Sequence, residues 1–211
     1  MPGQIISISG VDGSGKSSII GILQKRLQNK KIKTKYVWLR YNHYLTKFLL
    51  AFCRYAGFTE YKHFTNSRVV YHNFYRSKFI SWLFIFLTFI DTFAASVCLV
   101  YIPLFFSKKI IICDRWVFDI MVDLEVDTHI GFTNHSLISK IFKMLIPKNC
   151  KYFLIFRNID KVRNTKDESI RDKNFPVRYE LYLSHSTDPL VRLINNDDTL
   201  ENSVHQIINQ L

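Results

Sequence analysis

Eight residues near the N-terminus have the spacing of a phosphate-binding loop. Residues 10–17 run Gly-Val-Asp-Gly-Ser-Gly-Lys-Ser and match the pattern G-x-x-x-x-G-K-[ST]. Glycines allow the backbone to wrap closely around phosphate groups, and the N–H groups that begin the next helix attract their negative charge. We therefore predict an ATP-binding loop formed by Gly10, Asp12, Gly13, Ser14, Gly15, Lys16, Ser17 and Ser18.

Two of these side chains have an expected chemical role. The Lys16 ammonium is predicted to contact the β and γ phosphates and to act in catalysis, while the Ser17 hydroxyl is predicted to bind Mg²⁺. A second metal ligand is expected from Asp114, which follows the apolar run 110–113. If that run is a parallel strand, its carboxyl end lies beside the phosphate-binding loop, where open α/β sheets bind their ligands.

The elements that position these residues follow from the hydrophobic pattern. Apolar runs predict strands at residues 4–9, 35–39, 109–113, 152–156 and 190–194, with helices between them. Residues 16–28 are predicted to form a helix with a buried stripe of Ile19, Ile20, Leu23 and Leu27. Asp198 or Thr199 is predicted to cap a last helix. This alternation indicates a three-layer α/β P-loop NTPase fold, a five-stranded parallel sheet with helices on both faces.

The composition fits one cytoplasmic domain. The 211 residues are enough to bury a core without disulfides, and the four cysteines show no paired spacing. We expect a single domain over residues 1–211 with reduced cysteines. The first residues lack the pattern of a secretion signal, which agrees with a cytoplasmic location.

Charge and hydropathy leave several kinds of partner open. The net charge is +12, and residues 25–78 contain thirteen lysines and arginines but only one acidic residue, Glu60. Nucleic acid, an anionic membrane and a phosphorylated small molecule all suit such a charge. The apolar segment 81–106 is long enough to span a bilayer, yet it contains Asp91 and Pro103. We predict a core helix buried between the sheet and neighbouring helices, and no integral membrane insertion.

Two motifs together resemble those of the thymidylate kinase family. That family has G-x-D-G-x-G-K-[ST] near the N-terminus and, later, a strand that ends in Asp-Arg-aromatic. Here Asp12 lies within the first motif, and Asp114-Arg115-Trp116 forms the second. The resemblance covers nearly the whole chain. It implies a homodimeric nucleoside monophosphate kinase that uses ATP and Mg²⁺, with dTMP as the first acceptor to consider and dTDP as its product.

The resemblance also implies roles for particular residues. Asp12 would contact the nucleotide sugar, Asp114 would act near Mg²⁺, and Arg115 would hold the acceptor phosphate and act in catalysis. Arg40 follows the second predicted strand, where the family has an arginine that binds the acceptor phosphate. A bidentate guanidinium suits that task.

A catalytic cation is expected from a lid over residues 157–178. Gly13 follows the loop aspartate directly, and family members without a basic residue there supply the positive charge from a mobile lid. Such a cation stabilises the charge that develops on the transferred phosphoryl group. Arg163 and Arg171 are our preferred pair among the basic residues of this stretch.

On the acceptor side the chain departs from the family pattern. The family's Phe-x-x-Asp-Arg corresponds to a stretch that begins at Thr88 and ends at Thr92, so only Asp91 is retained. We predict that Asp91 contacts the acceptor and that a nearby phenylalanine, Phe89 or else Phe86, stacks on its base.

Two further features separate this chain from the family. Asp119, Asp123 and Asp127 share one helical face, and Asp119 is also predicted to bind the acceptor. Residues 41–80 are predicted to form a helical insertion beside the acceptor site.

Two functions stay open at this stage. The first is phosphoryl transfer from ATP to a nucleoside monophosphate, or to another small polar or sugar acceptor, which the aspartate stripe and Thr92 favour. The second is a nucleotide-binding regulator that binds a membrane or nucleic acid through the basic, aromatic residues 41–78. We favour the kinase, and with it a small-molecule acceptor and no nucleic-acid partner.

Overall fold

A parallel sheet forms the centre of the protein. The computed structural model describes residues 4–64, 67–107, 109–133, 135–163 and 172–211. Within them the sheet consists of β1 (Ile5–Ser9), β2 (Thr34–Trp38), β5 (Ile110–Asp114), β6 (Cys150–Phe156) and β7 (Val191–Asn195). The order is β2-β5-β1-β6-β7, which places β1 in the middle between β5 and β6. All five predicted strands are confirmed.

Helices cover both faces of this sheet. Because successive strand residues point to opposite faces, Ile5 and Ile6 of β1 belong to different hydrophobic clusters. Ile6 packs with α1 (Lys16–Asn29) and α9 (Leu200–Asn209). Ile5 packs on the opposite side with residues of α3 (Lys78–Ser96), α5 (Val117–Thr128) and α6 (Leu137–Lys143). The predicted three-layer α/β fold is therefore confirmed.

The two terminal helices of the fold begin as the sequence indicates. Helix α1 starts at Lys16, and its predicted apolar stripe is buried. The α9 helix is capped by Thr199, whose hydroxyl accepts a hydrogen bond from the Asn202 N–H at 3.2 Å. Thr199 rather than Asp198 therefore supplies the N-cap.

One long apolar helix packs in the core along part of its surface. Helix α3 continues through a π-helical turn (Val97–Tyr101) into α4 (Ile102–Phe106). Residues 78–106 together are long and apolar enough to cross a membrane, and 44% of the most apolar window is buried. The prediction of a core helix is confirmed. The helix is not buried all round, however, because its outer side exposes Phe79, Trp82, Phe86 and Phe93.

Residues 41–80 differ from the predicted helical insertion. They contain one helix, α2 (Thr46–Tyr55), followed by an antiparallel hairpin of β3 (Thr59–Phe64) and β4 (Ser67–His72) and a 3₁₀ turn (Phe74–Arg76). The strands of the hairpin contain two valines and several aromatic residues, which favour strands. The part of the chain that the structure describes between β6 and β7 includes the helices α7 (Ile159–Arg163) and α8 (Phe175–His185).

Candidate functional site

The phosphate-binding loop lies between β1 and α1, as predicted. Gly13 and Gly15 have φ angles of 88° and 94°, in the region that favours glycine. A Cβ atom at Gly10 would come within 2.5 Å of the Ile155 carbonyl oxygen. The loop borders a cavity of about 590 Å³, lined by Asp12, Gly13, Gly15, Lys16, Ser17 and Ser18 among others. We call it the nucleotide cavity.

The Lys16 side chain is held inside the loop. Its ammonium donates a hydrogen bond to the Val11 carbonyl at 2.6 Å, and the residue is only 5% exposed. Burial, together with the positive charge of Arg115, lowers the pKa of Lys16 to about 7. The negative charge of a triphosphate would raise this pKa again, so phosphate binding and protonation of Lys16 favour each other.

The predicted metal ligands also lie together. Ser17 and Asp114 line the nucleotide cavity, a hydroxyl and a carboxylate at the edge where the triphosphate would lie. Hard oxygen ligands of this kind, completed by phosphate oxygens and water, are what Mg²⁺ prefers. The Tyr36 hydroxyl donates a hydrogen bond to Asp114 at 2.7 Å. Burial and this bond raise the pKa of Tyr36 to about 12, which keeps Tyr36 a donor.

Arg115 connects the phosphate-binding loop to helix α5. Its φ angle of 62° is unusual for a residue with a side chain, and the side chain is 8% exposed. The guanidinium donates to the Gly10 carbonyl at 3.3 Å, to Asp12, and to Asp119 at 3.1 Å. These contacts fix the guanidinium beside the loop.

Asp119 has a different place from the one predicted. It is fully buried and accepts hydrogen bonds from Ser9, from the Trp116 N–H at 3.1 Å and from the Tyr182 hydroxyl at 2.7 Å. It therefore positions Arg115 from behind, and it lines neither the nucleotide cavity nor the acceptor cavity described next. A carboxylate within this buried network is satisfied by protein donors alone.

A second cavity of about 410 Å³ lies on the other side of Arg115. We call it the acceptor cavity. Arg40 donates two hydrogen bonds of 2.8 Å to the two oxygens of Asp123, and Arg178 binds the same carboxylate. Burial raises the pKa of Asp123 by itself, but the two arginines outweigh burial and lower it overall. The predicted phosphate ligand Arg40 is thus paired with a carboxylate here.

The two cavities share a wall. Asp12, Arg40 and Arg115 line both of them. Arg40 lies 3.6 Å from Asp12, and Arg115 binds Asp12 as well. Groups bound in the two cavities would therefore both lie beside these two guanidinium ions and one carboxylate.

Asp91 and Phe89 lie elsewhere in the structure. The buried Asp91 carboxylate accepts hydrogen bonds from the N–H groups of Tyr44, Leu45 and Thr46, at 2.9–3.1 Å. It caps α2, whose free N–H groups need an acceptor. Phe89 packs edge-on against Phe142 with ring centroids 5.3 Å apart. Neither residue lines the nucleotide or the acceptor cavity, so the predicted contacts with an acceptor are corrected to structural roles.

Replacing Asp91 tests this structural role. Asp91→Ala leaves the N–H groups of Tyr44, Leu45 and the buried Thr46 without their acceptor, and we expect the free energy of unfolding measured in urea to fall by about 2–3 kcal/mol. Asp91→Asn, which keeps one acceptor oxygen, should lose less. If Asp91→Ala instead kept wild-type stability and weakened binding of an acceptor, the capping role would be contradicted.

Asp127 is a carboxyl group that burial keeps protonated. It lines the acceptor cavity and is 8% exposed. Burial raises its pKa to about 8; Arg178 opposes the shift and Asp123 adds to it. At neutral pH this carboxyl is therefore mostly an acid, able both to donate and to accept a hydrogen bond. Burial and nearby positive charge lower the pKa of the neighbouring His72 to about 4, so that ring is neutral.

The raised pKa predicts a pH dependence of stability. Between pH 4 and pH 8 the Asp127 carboxyl is protonated in the folded protein and ionised in the unfolded chain. The free energy of unfolding therefore decreases as pH rises through this window. The stability of Asp127→Asn relative to the wild type should therefore increase from pH 5 to pH 8 in urea unfolding, by up to about 4 kcal/mol at about 1.4 kcal/mol per pH unit. Asp160→Asn, at an exposed position, is the control, and equal pH profiles for wild type and Asp127→Asn would contradict the prediction.

Of the lid residues, Arg157 lines the nucleotide cavity. It donates a hydrogen bond to the Gly13 carbonyl at 3.4 Å. The side chain of Arg163 and the whole of Arg171 lie outside the described residues, so their predicted roles stay predictions. Arg178, at the end of the predicted lid, is brought to the acceptor cavity by α8.

Several residues of the site had no specific signal in the sequence. Asn196 follows β7 and donates to the Ser14 carbonyl at 2.7 Å, which ties the phosphate-binding loop to the far strand. Tyr36 of β2 donates to Asp114, which lines the nucleotide cavity, and His72 of the hairpin lines the acceptor cavity. The position of these residues after or within a strand was visible in the sequence, but their place relative to the cavities depends on how the strands pair.

Comparison with known proteins supports this fold. No family model matches the sequence, and no curated protein matches it. Among solved structures 211 chains match, including thymidylate kinase from Candida albicans, with a TM-score of 0.60 and 17% sequence identity. That match covers 99% of this chain and 91% of the yeast chain.

The fold is therefore that of a P-loop kinase of the thymidylate kinase type, highly divergent in sequence. An identity of 17% defines the fold alone, and the chemistry has to be argued from the residues of this chain.

Proposed function

We propose that this protein transfers the γ-phosphoryl group of ATP to a nucleoside monophosphate, with dTMP as the first acceptor to test. The observation that carries the proposal is the wall of Asp12, Arg40 and Arg115 shared by the nucleotide and acceptor cavities. Phosphoryl transfer requires the acceptor oxygen to reach the γ-phosphoryl group in line, with positive charges beside the transferred group. The likeness of the fold to a thymidylate kinase agrees with this arrangement.

The residues of the chain would act by positioning and by charge. Main-chain N–H groups of the loop and the Lys16 ammonium would hold the β and γ phosphates. Arg115, already fixed by Asp119 and the Gly10 carbonyl, would neutralise charge on the transferred group. Arg157, which also lines the nucleotide cavity, would add a second positive charge.

Two groups would serve the metal and the acceptor. Ser17 and Asp114 fit Mg²⁺, which would neutralise phosphate charge when bound. An acceptor phosphate would bind Arg40 and Arg178, and Asp123 would have to release at least one of them. No side chain needs to form a covalent intermediate.

The charge balance of the acceptor cavity supports a second candidate, transfer to a neutral hydroxyl acceptor. Three arginines line this cavity together with Asp12, Asp123, Asp127 and Asp172. With Asp127 protonated, three negative charges offset three positive ones, so the cavity holds little net charge to attract a dianion. A nucleoside or another polyol would bind without displacing Asp123.

An assay with a panel of acceptors tests the proposal. Purified protein with ATP and Mg²⁺ is given dTMP, other nucleoside monophosphates, thymidine or a sugar, and ADP release is coupled to a spectroscopic signal. We expect turnover with a monophosphate, and a reduction by about 10³-fold or more for Lys16→Ala, because the charge on the γ-phosphoryl group loses its nearest cation. Turnover with thymidine but not with dTMP would favour the second candidate.

A matched control separates catalysis from folding. Lys148 lies between α6 and β6, far in sequence from the phosphate-binding loop. Lys148→Ala should therefore leave turnover and thermal stability unchanged. The proposal fails if every acceptor gives no more ADP than ATP and Mg²⁺ alone, or if Lys16→Ala keeps full turnover.

We also propose that the protein acts as a homodimer. The exposed side chains of Phe79, Trp82, Phe86 and Phe93 lie three, four and seven residues apart, so they share one side of α3. We call this the apolar face of α3. It contains no charged side chain, and apolar patches of this kind on soluble proteins mark interaction sites. A two-fold axis would pack the face against its own copy.

A charged substitution in the apolar face tests dimerisation. We expect the wild type to run at twice the chain mass in light scattering after size exclusion, and Phe86→Glu to run as a folded monomer, because a carboxylate would be desolvated at the interface. Leu137→Glu, at an exposed position on α6, should stay dimeric. A wild type that is monomeric alone and pellets with anionic vesicles would contradict the dimer and indicate a membrane surface instead.

A further inference from the structure

Helix α2 has exposed aromatic side chains that the proposed chemistry does not use. Leu45, directly before the helix, and Phe48, Phe52 and Tyr55 within it are 45–92% exposed. They follow one another at intervals of three, four and three residues, so they share one side of the helix. We call this side the aromatic face of α2. Large apolar side chains that are grouped on an exposed surface mark a site of interaction with a partner or a membrane.

The opposite side of α2 anchors the helix to the protein. Thr46, Leu49 and Cys53 are buried. Leu49 and Cys53 belong to the same hydrophobic cluster as Phe84 of α3. The buried Asp91 carboxylate accepts hydrogen bonds from N–H groups at the start of the helix. Helix α2 is therefore fixed in place, and its aromatic face is a stable surface of the fold.

Basic residues border the aromatic face. Lys47 and Arg54 are exposed and lie seven residues apart, which is about two helical turns, so both lie along the same border. The Lys47 ammonium is 5.1 Å from the centroid of the Phe48 ring. Residues 41–59 contain no acidic residue in the sequence. The surface therefore combines aromatic rings with positive charge.

The positive charges of this surface are not paired with carboxylates. Glu60 is the acidic residue closest to α2 in the sequence, and its carboxylate lies 3.8 Å from the Lys62 ammonium and 4.0 Å from that of Lys173. Among the residues that the structure describes, neither Lys47 nor Arg54 forms an ion pair with a carboxylate; each lies near an aromatic ring instead. Both charges can therefore bind an external anion.

A second copy of the chain does not suit the aromatic face of α2. Packing about a two-fold axis would bring Lys47 and Arg54 of both copies into one contact, where like charges repel each other. The apolar face of α3 has no such charges, so the two exposed faces fit different partners. An anionic lipid surface fits the face of α2, because its headgroups attract basic side chains and its interface accepts aromatic rings.

The length of α2 decides how the helix would lie on a bilayer. Its 10 residues span about 15 Å. The hydrocarbon core of a bilayer is about 30 Å thick, so α2 is too short to cross it. A helix with aromatic residues on one side and basic residues at its border lies in the plane of the interface instead.

We propose that the aromatic face of α2 binds the anionic surface of a membrane, with the helix parallel to the bilayer. Phe48, Phe52 and Tyr55 enter the headgroup region, and Lys47 and Arg54 contact the anionic groups of the lipids. No residue of this surface lines the nucleotide or the acceptor cavity. The inference therefore goes beyond the proposed function and does not depend on it.

Co-sedimentation with vesicles tests the inference. The full chain is mixed at low salt with vesicles of phosphatidylcholine alone, or of equal parts of phosphatidylcholine and phosphatidylserine. We expect the protein to pellet with the mixed vesicles only, and added salt to weaken this binding, because salt screens exposed charges. Equal binding to both kinds of vesicle, or binding to neither, would overturn the inference.

A pair of charge variants locates the positive part of the surface. Replacing Lys47 and Arg54 together by alanine should weaken binding to the mixed vesicles about 25-fold, since each basic residue near an anionic surface contributes about fivefold. Replacing the exposed Lys30 and Lys33 together by alanine is the matched control, because it removes the same net charge away from α2. Equal losses in the two double variants would contradict a binding surface on α2.

A pair of apolar variants locates the aromatic part. Phe48→Ala should weaken binding to the mixed vesicles about tenfold, because one ring no longer leaves water for the interface. Leu137→Ala, at a similarly exposed position on α6, should bind like the wild type. Thermal melting checks that all variants fold. Loss of binding in Phe86→Glu but not in Phe48→Ala would place the surface on α3 and overturn the inference.

Two other occupants of the aromatic face have distinct signatures. If Phe48→Ala converted a dimer into a monomer and left vesicle binding unchanged, the face would be a contact between copies. If a thymidine oligonucleotide bound more tightly than the mixed vesicles, and the Lys47 and Arg54 double variant lost that binding, the face would be a nucleic-acid site. Either result would overturn the inference. A protein that binds the mixed vesicles as expected but phosphorylates no acceptor would overturn the proposed function alone.

Discussion

The candidate site depends on one buried guanidinium. Arg115 leaves β5 in a left-handed conformation and reaches the Gly10 carbonyl, Asp12 and Asp119 at once. The cost of burying this charge is offset only because its partners come from the loop after β1 and from α5. Those two elements are thereby held in one relative position, and the boundary between the two cavities lies where they meet.

The second feature of the site is that its charges are mostly neutralised within the protein. Arg40 and Arg178 share the carboxylate of Asp123, and burial keeps Asp127 protonated near neutral pH. An anionic acceptor must therefore exchange one ion pair for another, which makes the gain in free energy small and the geometry decisive. An acceptor in such a cavity would be selected by fit and by hydrogen bonds more than by attraction of charge.

The two sides of helix α3 have different surroundings, the protein core on one side and solvent on the other. Its inner side supplies Phe84 to the hydrophobic core and Asp91 to the cap of α2. Its outer side carries exposed aromatic rings that a partner surface would cover. A helix that is apolar on all sides has the same hydropathy pattern whether it lies in a core, a membrane or an interface. Hydropathy alone could therefore not separate these cases.

The sequence by itself determined the strands, the phosphate-binding loop, and the placement of Ser17 and Asp114 at one edge of the sheet. These features depend on local pattern: apolar runs, glycine spacing and the common edge at which parallel strands end. The tertiary structure alone decided the roles of the aspartates. Asp91 caps a helix, Asp119 supports Arg115 and Asp123 pairs two arginines, although all three are identical in chemistry. A carboxylate takes its role from the donors that folding brings to it, and those donors lie far away along the chain.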